Sequence, residues 1–136
     1  MRNPPSRVEY LGLKSRDEVR ALMRDAVLAI VPSVCYENFP VTIVESFSVG
    51  LPVVSTRMGA MEEILSGEES GWLVDSSDPD GLARAVEHAW SSPQEMRRKG
   101  QRARLEYESK FSPDINYQQL SAIYRRATAE ASSRRP

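Results

Sequence analysis

LAIVPSVCYENFPVTIVESFSVGLPVVST, residues 28–56, decides the fold. Leu28 to Val31 is an unbroken apolar run, as expected of a strand buried on both faces. Pro32 and Ser33 end it. Pro40 to Val49 reads as a helix, closed by Gly50 and then Pro52. Pro52 to Thr56 is again apolar and β-branched, a second buried strand. A strand, a helix and a second buried strand in succession imply a parallel sheet with helices on its faces.

The pattern extends outward in both directions. On the amino-terminal side, Val8 to Leu11 reads as a short strand. Ser15 starts a helix with a capping box to Glu18, and Val19, Leu22 and Met23 follow at helical spacing. On the other side, Glu62 to Leu65 makes a helical turn and Gly71 to Val74 a last strand. After Asp75 the pattern is helical throughout. Asp78 caps a helix to about Trp90, with Leu82, Ala85, Val86 and Ala89 on one face. A second helix runs from Pro93 to about Lys110. A third runs from Asp114 to about Ala131, with Tyr117, Leu120, Ile123 and Tyr124 as its apolar stripe. The fold class is α/β.

Composition bounds the rest. Of 136 residues 40% are apolar and 27% charged, an ordinary globular balance that excludes both disorder and a membrane protein. No window supplies the ~18 unbroken apolar residues of a membrane span. MRNPPSRVEY, at the start, has no apolar core of a secretory signal. One cysteine, Cys35, forms neither an internal disulfide nor a paired-cysteine metal site, which suits a reducing cytoplasm. Eighteen Lys/Arg stand against 19 Asp/Glu, so no excess of positive charge calls for nucleic acid. The balance is uneven, however. Residues 95–136 carry ten Lys/Arg and five acids, making that tail about +5 and the first 94 residues about −6. Such a tail reads as solvated helices with i,i+4 pairs, or as a basic face for anionic headgroups or another domain.

The chemistry concentrates in the opening stretch. Glu37 follows the carboxyl end of the first buried strand, and Glu45 lies eight residues on, inside the helix. Ligands of open parallel sheets bind at that edge. A helix N-terminus there offers free N–H groups and a positive dipole end, suited to a phosphate or diphosphate. Pro40 has no N–H, which leaves the amides of Asn38, Phe39 and Val41 as donors. A carboxylate accepts two hydrogen bonds from a vicinal diol, so Glu37 and Glu45 suit two sugar rings flanking a diphosphate. A glycosidase acid/base pair is excluded. Its carboxyls stand ~5–9.5 Å apart, whereas eight helical residues rise ~12 Å. On spacing alone a solvent-facing Glu45 and an ordinary loop acid at Glu37 remain equally open.

These residues resemble the signature of group 1 (family 4) retaining glycosyltransferases of the GT-B fold, in which two glutamates are separated by seven residues. The matching positions are Pro32, Ser33, Glu37, Phe39, Pro40, Glu45, Ser46, Ser48, Gly50, Pro52, Val53, Val54 and Thr56. The resemblance continues through Met58 to Ile64 (MGAMEEI), Ser70 to Val74, Asp78 to Ala83 and Lys110 to Ser112, and so covers residues 7–124 in order. It implies that Glu37 holds the donor sugar's hydroxyls and Glu45 the nucleotide's ribose, with amides around Phe39 to Val41 at the diphosphate. Three positions depart from the family pattern: Asn38 and Pro40 stand where glycines are common, and Ala60 replaces the second glycine of a pair.

The remaining candidates read as structural. Asp78-Pro79-Asp80 spells a metal motif of another glycosyltransferase fold, yet here it opens a helix and caps it. His88 lies off the apolar stripe, and without a second histidine no metal cluster forms. Cys35 has no histidine partner nearby, so a packing role is expected, and Trp72 and Trp90 are expected in the core.

The resemblance implies a partial Rossmann-like parallel sheet, followed by C-terminal helices: the donor-binding part of the C-terminal domain, without its first two strands. Residues 1–6 form a disordered end, 7–111 the partial nucleotide-sugar-binding domain, and 112–136 a trailing helix and frayed end. The family's diphosphate-binding Arg and Lys and its N-terminal acceptor domain fall outside this sequence. The implied activity is transfer of a sugar from a nucleotide diphosphate sugar with retention, without metal or other cofactor, the isolated chain being inactive. The implied partners are the nucleotide sugar donor and the acceptor domain of the parent, with no nucleic acid and a peripheral membrane contact of the parent enzyme. Oligomers are expected through open strand edges at 8–11 and 28–31, with the former re-pairing beside the latter. The alternative is a non-catalytic module that binds nucleotide sugars or a partner.

Overall fold

The computed structural model describes residues 8–65 and 67–133. The expected disordered end at 1–6 and the last three residues lie outside them. The elements run α1 (Arg16–Asp25), β1 (Ala29–Val31), α2 (Val41–Ser48), β2 (Val53–Thr56), α3 (Ala60–Ile64), β3 (Gly71–Val74), α4 (Pro79–Ser91), α5 (Pro93–Glu106), a π-helical turn (Tyr107–Phe111) and α6 (Pro113–Ser133). The sheet is parallel, in the order β1-β2-β3, with Ala29 opposite Val53 and Val53 opposite Gly71.

β2 is central and buried along its whole length. Alternation of its side chains divides the core in two. Val53 joins Ile43, Phe47, Met61, Leu65 and Ala103 on the side of α2, α3 and α5. Val54 joins Trp72 and Ala89 on the other side, beneath α4. Phe47 is fully buried, and its removal from water stabilises the fold by about 1.5–3 kcal/mol. Two close approaches fix the layers. A Cβ at Gly71 would stand 2.2 Å from the Val53 carbonyl oxygen, and one at Gly100 would stand 2.5 Å from that of Gly50. Neither position accepts a larger residue without moving backbone.

The caps follow the sequence reading. Ser15 and Glu18 form the capping box of α1, and Asp78 accepts the Gly81 N–H at the start of α4. Lys99 of α5 is buried. Its ammonium donates to the carbonyls of Glu68 and Gly71, the latter at 2.8 Å, and lies 4.7 Å above the Trp72 ring.

Several expectations are corrected. Val8 to Leu11 forms no strand; among the described residues it pairs with nothing, and Val8, Tyr10 and Leu11 are exposed. A strand without a hydrogen-bonding neighbour has no ladder to hold it. The anticipated re-pairing beside β1 therefore does not occur, and the sheet has three strands. Ile30 of β1 is 48% exposed, because β1 is an edge strand and only part of its surface is covered. Trp90 is 72% exposed, since it points away from the α4 face that carries Ala89. Cys35 is exposed in the loop after β1 instead of packed. The long helix from Pro93 gives way to the π turn at Tyr107, and α6 continues through residues expected to fray.

Candidate functional site

The loop from Val31 to Pro40 leaves the carboxyl edge of the sheet and is tied to β2 by hydroxyls. Ser55 Oγ donates to the Val31 carbonyl at 3.2 Å, and Thr56 Oγ1 donates to that of Ser33. Ser33 Oγ in turn accepts the Cys35 N–H at 3.3 Å. These bonds hold the start of the loop, so Glu37 and Asn38 emerge above the sheet edge. Both are exposed, and neither makes a hydrogen bond or ion pair among the described residues.

A second segment meets this loop. Gly59 has φ +53° and ψ −130°, backbone that residues with a Cβ avoid, and an added Cβ would lie 3.1 Å from the Tyr36 ring. The turn before α3 thus packs directly against the residue preceding Glu37. Phe39 is half exposed, its ring 6.2 Å from that of Phe111 in the π turn.

Pro40 is buried and caps α2 without a side-chain bond. The Val41 N–H, expected as an open donor, instead bonds the Phe39 carbonyl at 3.0 Å. Ile43 N–H bonds the Pro40 carbonyl. From Asn38 to Thr42, the amides left without an acceptor among the described residues are those of Asn38, Phe39 and Thr42. Thr42 escaped the sequence reading. The signal was present: a proline cap followed by a tight turn moves the open donors one residue inward.

Glu45 sits on the second turn of α2, one-third exposed. Its Oε1 lies 3.5 Å from Nε of Arg16, at the start of α1, while Oε2 has no partner among the described residues. Nothing in the sequence marked Arg16, which is brought there by the α1–β1–α2 connection. Glu45 and Val41 line a cavity of about 480 Å³ with residues of α1, the π turn and α6; Glu37, Asn38 and Phe39 lie outside it. All five expected residues sit on one loop–helix unit at the carboxyl edge of the sheet, and two of them, Val41 and Glu45, share a cavity. No group of three or more His, Cys, Asp or Glu among the described residues is placed to hold a metal ion.

The family model described as glycosyl transferases group 1 matches residues 2–106, more than half of the chain. The chain belongs to the group 1 glycosyltransferases. Its relatives in the family include an MMP alpha-(1->4)-mannosyltransferase of Mycolicibacterium hassiacum, 33% identical over 120 residues, covering 88% of this chain and 29% of that protein. Among solved structures, a sucrose-phosphate synthase of Thermosynechococcus elongatus superposes with a TM-score of 0.84 at 27% identity, covering 91% of this chain and 31% of that one. HepE of Anabaena, solved in complex with UDP-glucose, superposes with a TM-score of 0.79 at 24% identity, covering 88% and 33%. These neighbours are GT-B glycosyltransferases, and the fold is theirs. The chain spans about 30% of the length of the curated group 1 relatives it matches. No helix among its described residues is long and apolar enough to cross a membrane.

Proposed function

We propose that this chain is the donor-binding portion of a retaining glycosyltransferase that takes a nucleotide diphosphate sugar. The observation that carries the reading is the Glu37–Glu45 unit, a loop acid and a helix acid with open amides between them at the carboxyl edge of a parallel sheet. Glu37 accepts hydrogen bonds from hydroxyls of the transferred sugar. Glu45 accepts from the ribose diol through its unpaired Oε2, and the Asn38, Phe39 and Thr42 amides receive the diphosphate. Phe39 and Val41 frame that site with their backbone. The charge that leaves with the diphosphate is stabilised by these amides and the helix dipole, so the reaction proceeds without a metal. In a retaining transfer the departing diphosphate takes the acceptor's proton, and Glu37 needs no nucleophilic role.

The relatives are about three times as long, so the acceptor site and part of the diphosphate site belong to segments beyond the present sequence. The isolated chain accordingly binds donor weakly and does not turn over. A single cysteine suits a cytoplasmic setting.

Titration of nucleotide diphosphate and intact nucleotide sugar against Glu37→Ala and Glu45→Ala tests the assignment, the chain being joined to the upstream half of a relative. Glu45→Ala should weaken both ligands about tenfold or more, and Glu37→Ala the intact donor alone. Equal losses for both ligands at Glu37, or none at Glu45, would refute it.

A further inference from the structure

At the opposite edge of the sheet, where β1 and β2 begin, the end of α1 and the start of α5 enclose a groove of about 570 Å³. Its floor includes Met23, Leu51 and Met96, and its rim carries Arg24, Arg97 and Arg104. No Asp or Glu lines it, in a chain whose acids outnumber its Lys/Arg. Arg104 is engaged by Glu108 and by the Ser48 carbonyl. Arg24 and Arg97 are exposed and make no ion pair among the described residues. Most of the other cations of the sheet-bearing portion are paired, among them Lys14, Arg16, Arg57, Arg84 and Lys99. Positive charge is therefore left uncompensated around an apolar recess.

We propose that this groove docks a segment of a partner polypeptide that carries an apolar anchor flanked by carboxylates. Methionine side chains adapt to anchors of different shape, and arginine presents a planar fork that matches a carboxylate. Methionine and arginine are also among the residues enriched at protein interfaces. Shape separates this occupant from a lipid surface. Leu51 in the lining is 4% exposed, so an anchor must enter between the arginines to reach it, as one or two side chains of a peptide can. Residues 49–52 meet α5 where Gly50 and Gly100 touch, which fixes that side of the groove.

The test uses the whole chain and two labelled amphipathic peptides, one with a Leu-Phe anchor flanked by glutamates and the other with lysines in their place. Fluorescence anisotropy should show saturable binding of the acidic peptide and at least about tenfold weaker binding of the basic one. Arg24→Glu and Arg97→Glu, which break no pair and should leave the circular dichroism unchanged, should each weaken the acidic peptide about tenfold. The Met23 and Met96 methyl resonances should shift on its addition, and added salt should loosen it. Phosphatidylglycerol vesicles should not sediment the chain. Absence of saturable binding, equal binding of the two peptides, insensitivity to both charge reversals, or vesicle capture that Arg24→Glu abolishes would each overturn the proposal.

Discussion

The Phe39 ring stands 6.2 Å from that of Phe111, tilted by 60°, so a π-helical turn seventy-two residues downstream supports the loop that carries Glu37. Neither ring is fully buried, and the pair contributes about 0.5–1.5 kcal/mol beyond its buried area. Phe111→Leu keeps most of the packing but removes the ring contact. We expect a small loss of stability and about threefold weaker nucleotide diphosphate titration. Unchanged binding would show that the loop holds its shape without Phe111.

Gly59 is the second support of the same loop. Alanine there must adopt φ +53° with ψ −130° and also displaces Tyr36. Gly59→Ala should lower the unfolding free energy by about 1–3 kcal/mol in a denaturant titration. In the Tyr36→Ala background the backbone strain remains and the collision is relieved, so the penalty should shrink without vanishing.

Lys99 carries a buried cation over Trp72. Lys99→Met leaves the Glu68 and Gly71 carbonyls without their donor and should destabilise the fold by about 2 kcal/mol at neutral pH. Burial pushes the Lys99 ammonium below the ordinary lysine range, outweighing the opposing pull of Glu95. Between that lowered value and the ordinary one, the unfolded chain binds more protons than the folded chain. Stability referred to Lys99→Met should therefore rise with pH across that window. A flat difference curve would contradict it.

Among the groups sensitive at the acid end is Glu18. The Ser15 backbone N–H, and then its hydroxyl, hold the Glu18 carboxyl below the usual glutamate range. The capping contribution is thus complete above the unfolded value and disappears as pH falls through the folded one. Hydrogen exchange should show α1 losing protection below about pH 4, and Glu18→Gln should remove that dependence.

Legibility followed the origin of each signal. β2, α2, β3 and the caps of α1 and α4 were readable because apolar runs and Pro, Gly, Ser and Asp punctuation act within a few residues. The Val8–Leu11 strand was misread because a strand depends on a neighbour that its own sequence does not describe. Trp90 was misread for a related reason: hydrophobicity says what can be buried, not which face of α4 meets the sheet. The placement of Glu37 in the loop after β1 and of Glu45 inside α2 was legible from the strand–helix pattern. The capture of the Val41 amide by Phe39 and the approach of Arg16 to Glu45 were not, since one depends on turn geometry and the other on helix placement.

The strand order β1-β2-β3 also bears on how quickly the molecule assembles. Each strand pairs with the next one along the chain, across a connection that is itself a helix lying on the sheet. Among the described residues no pairing waits for a distant segment to arrive, and the entropy of loop closure stays small at every step. Such local wiring places a parallel sheet, ordinarily a slow folder, toward the faster side of its class. The β1–α2–β2 unit, which carries both glutamates, closes the earliest strand pair in the chain. The segment that carries Glu37 and Glu45 would then pair its strands ahead of the helices that follow β3 and gain the Phe111 contact only afterwards.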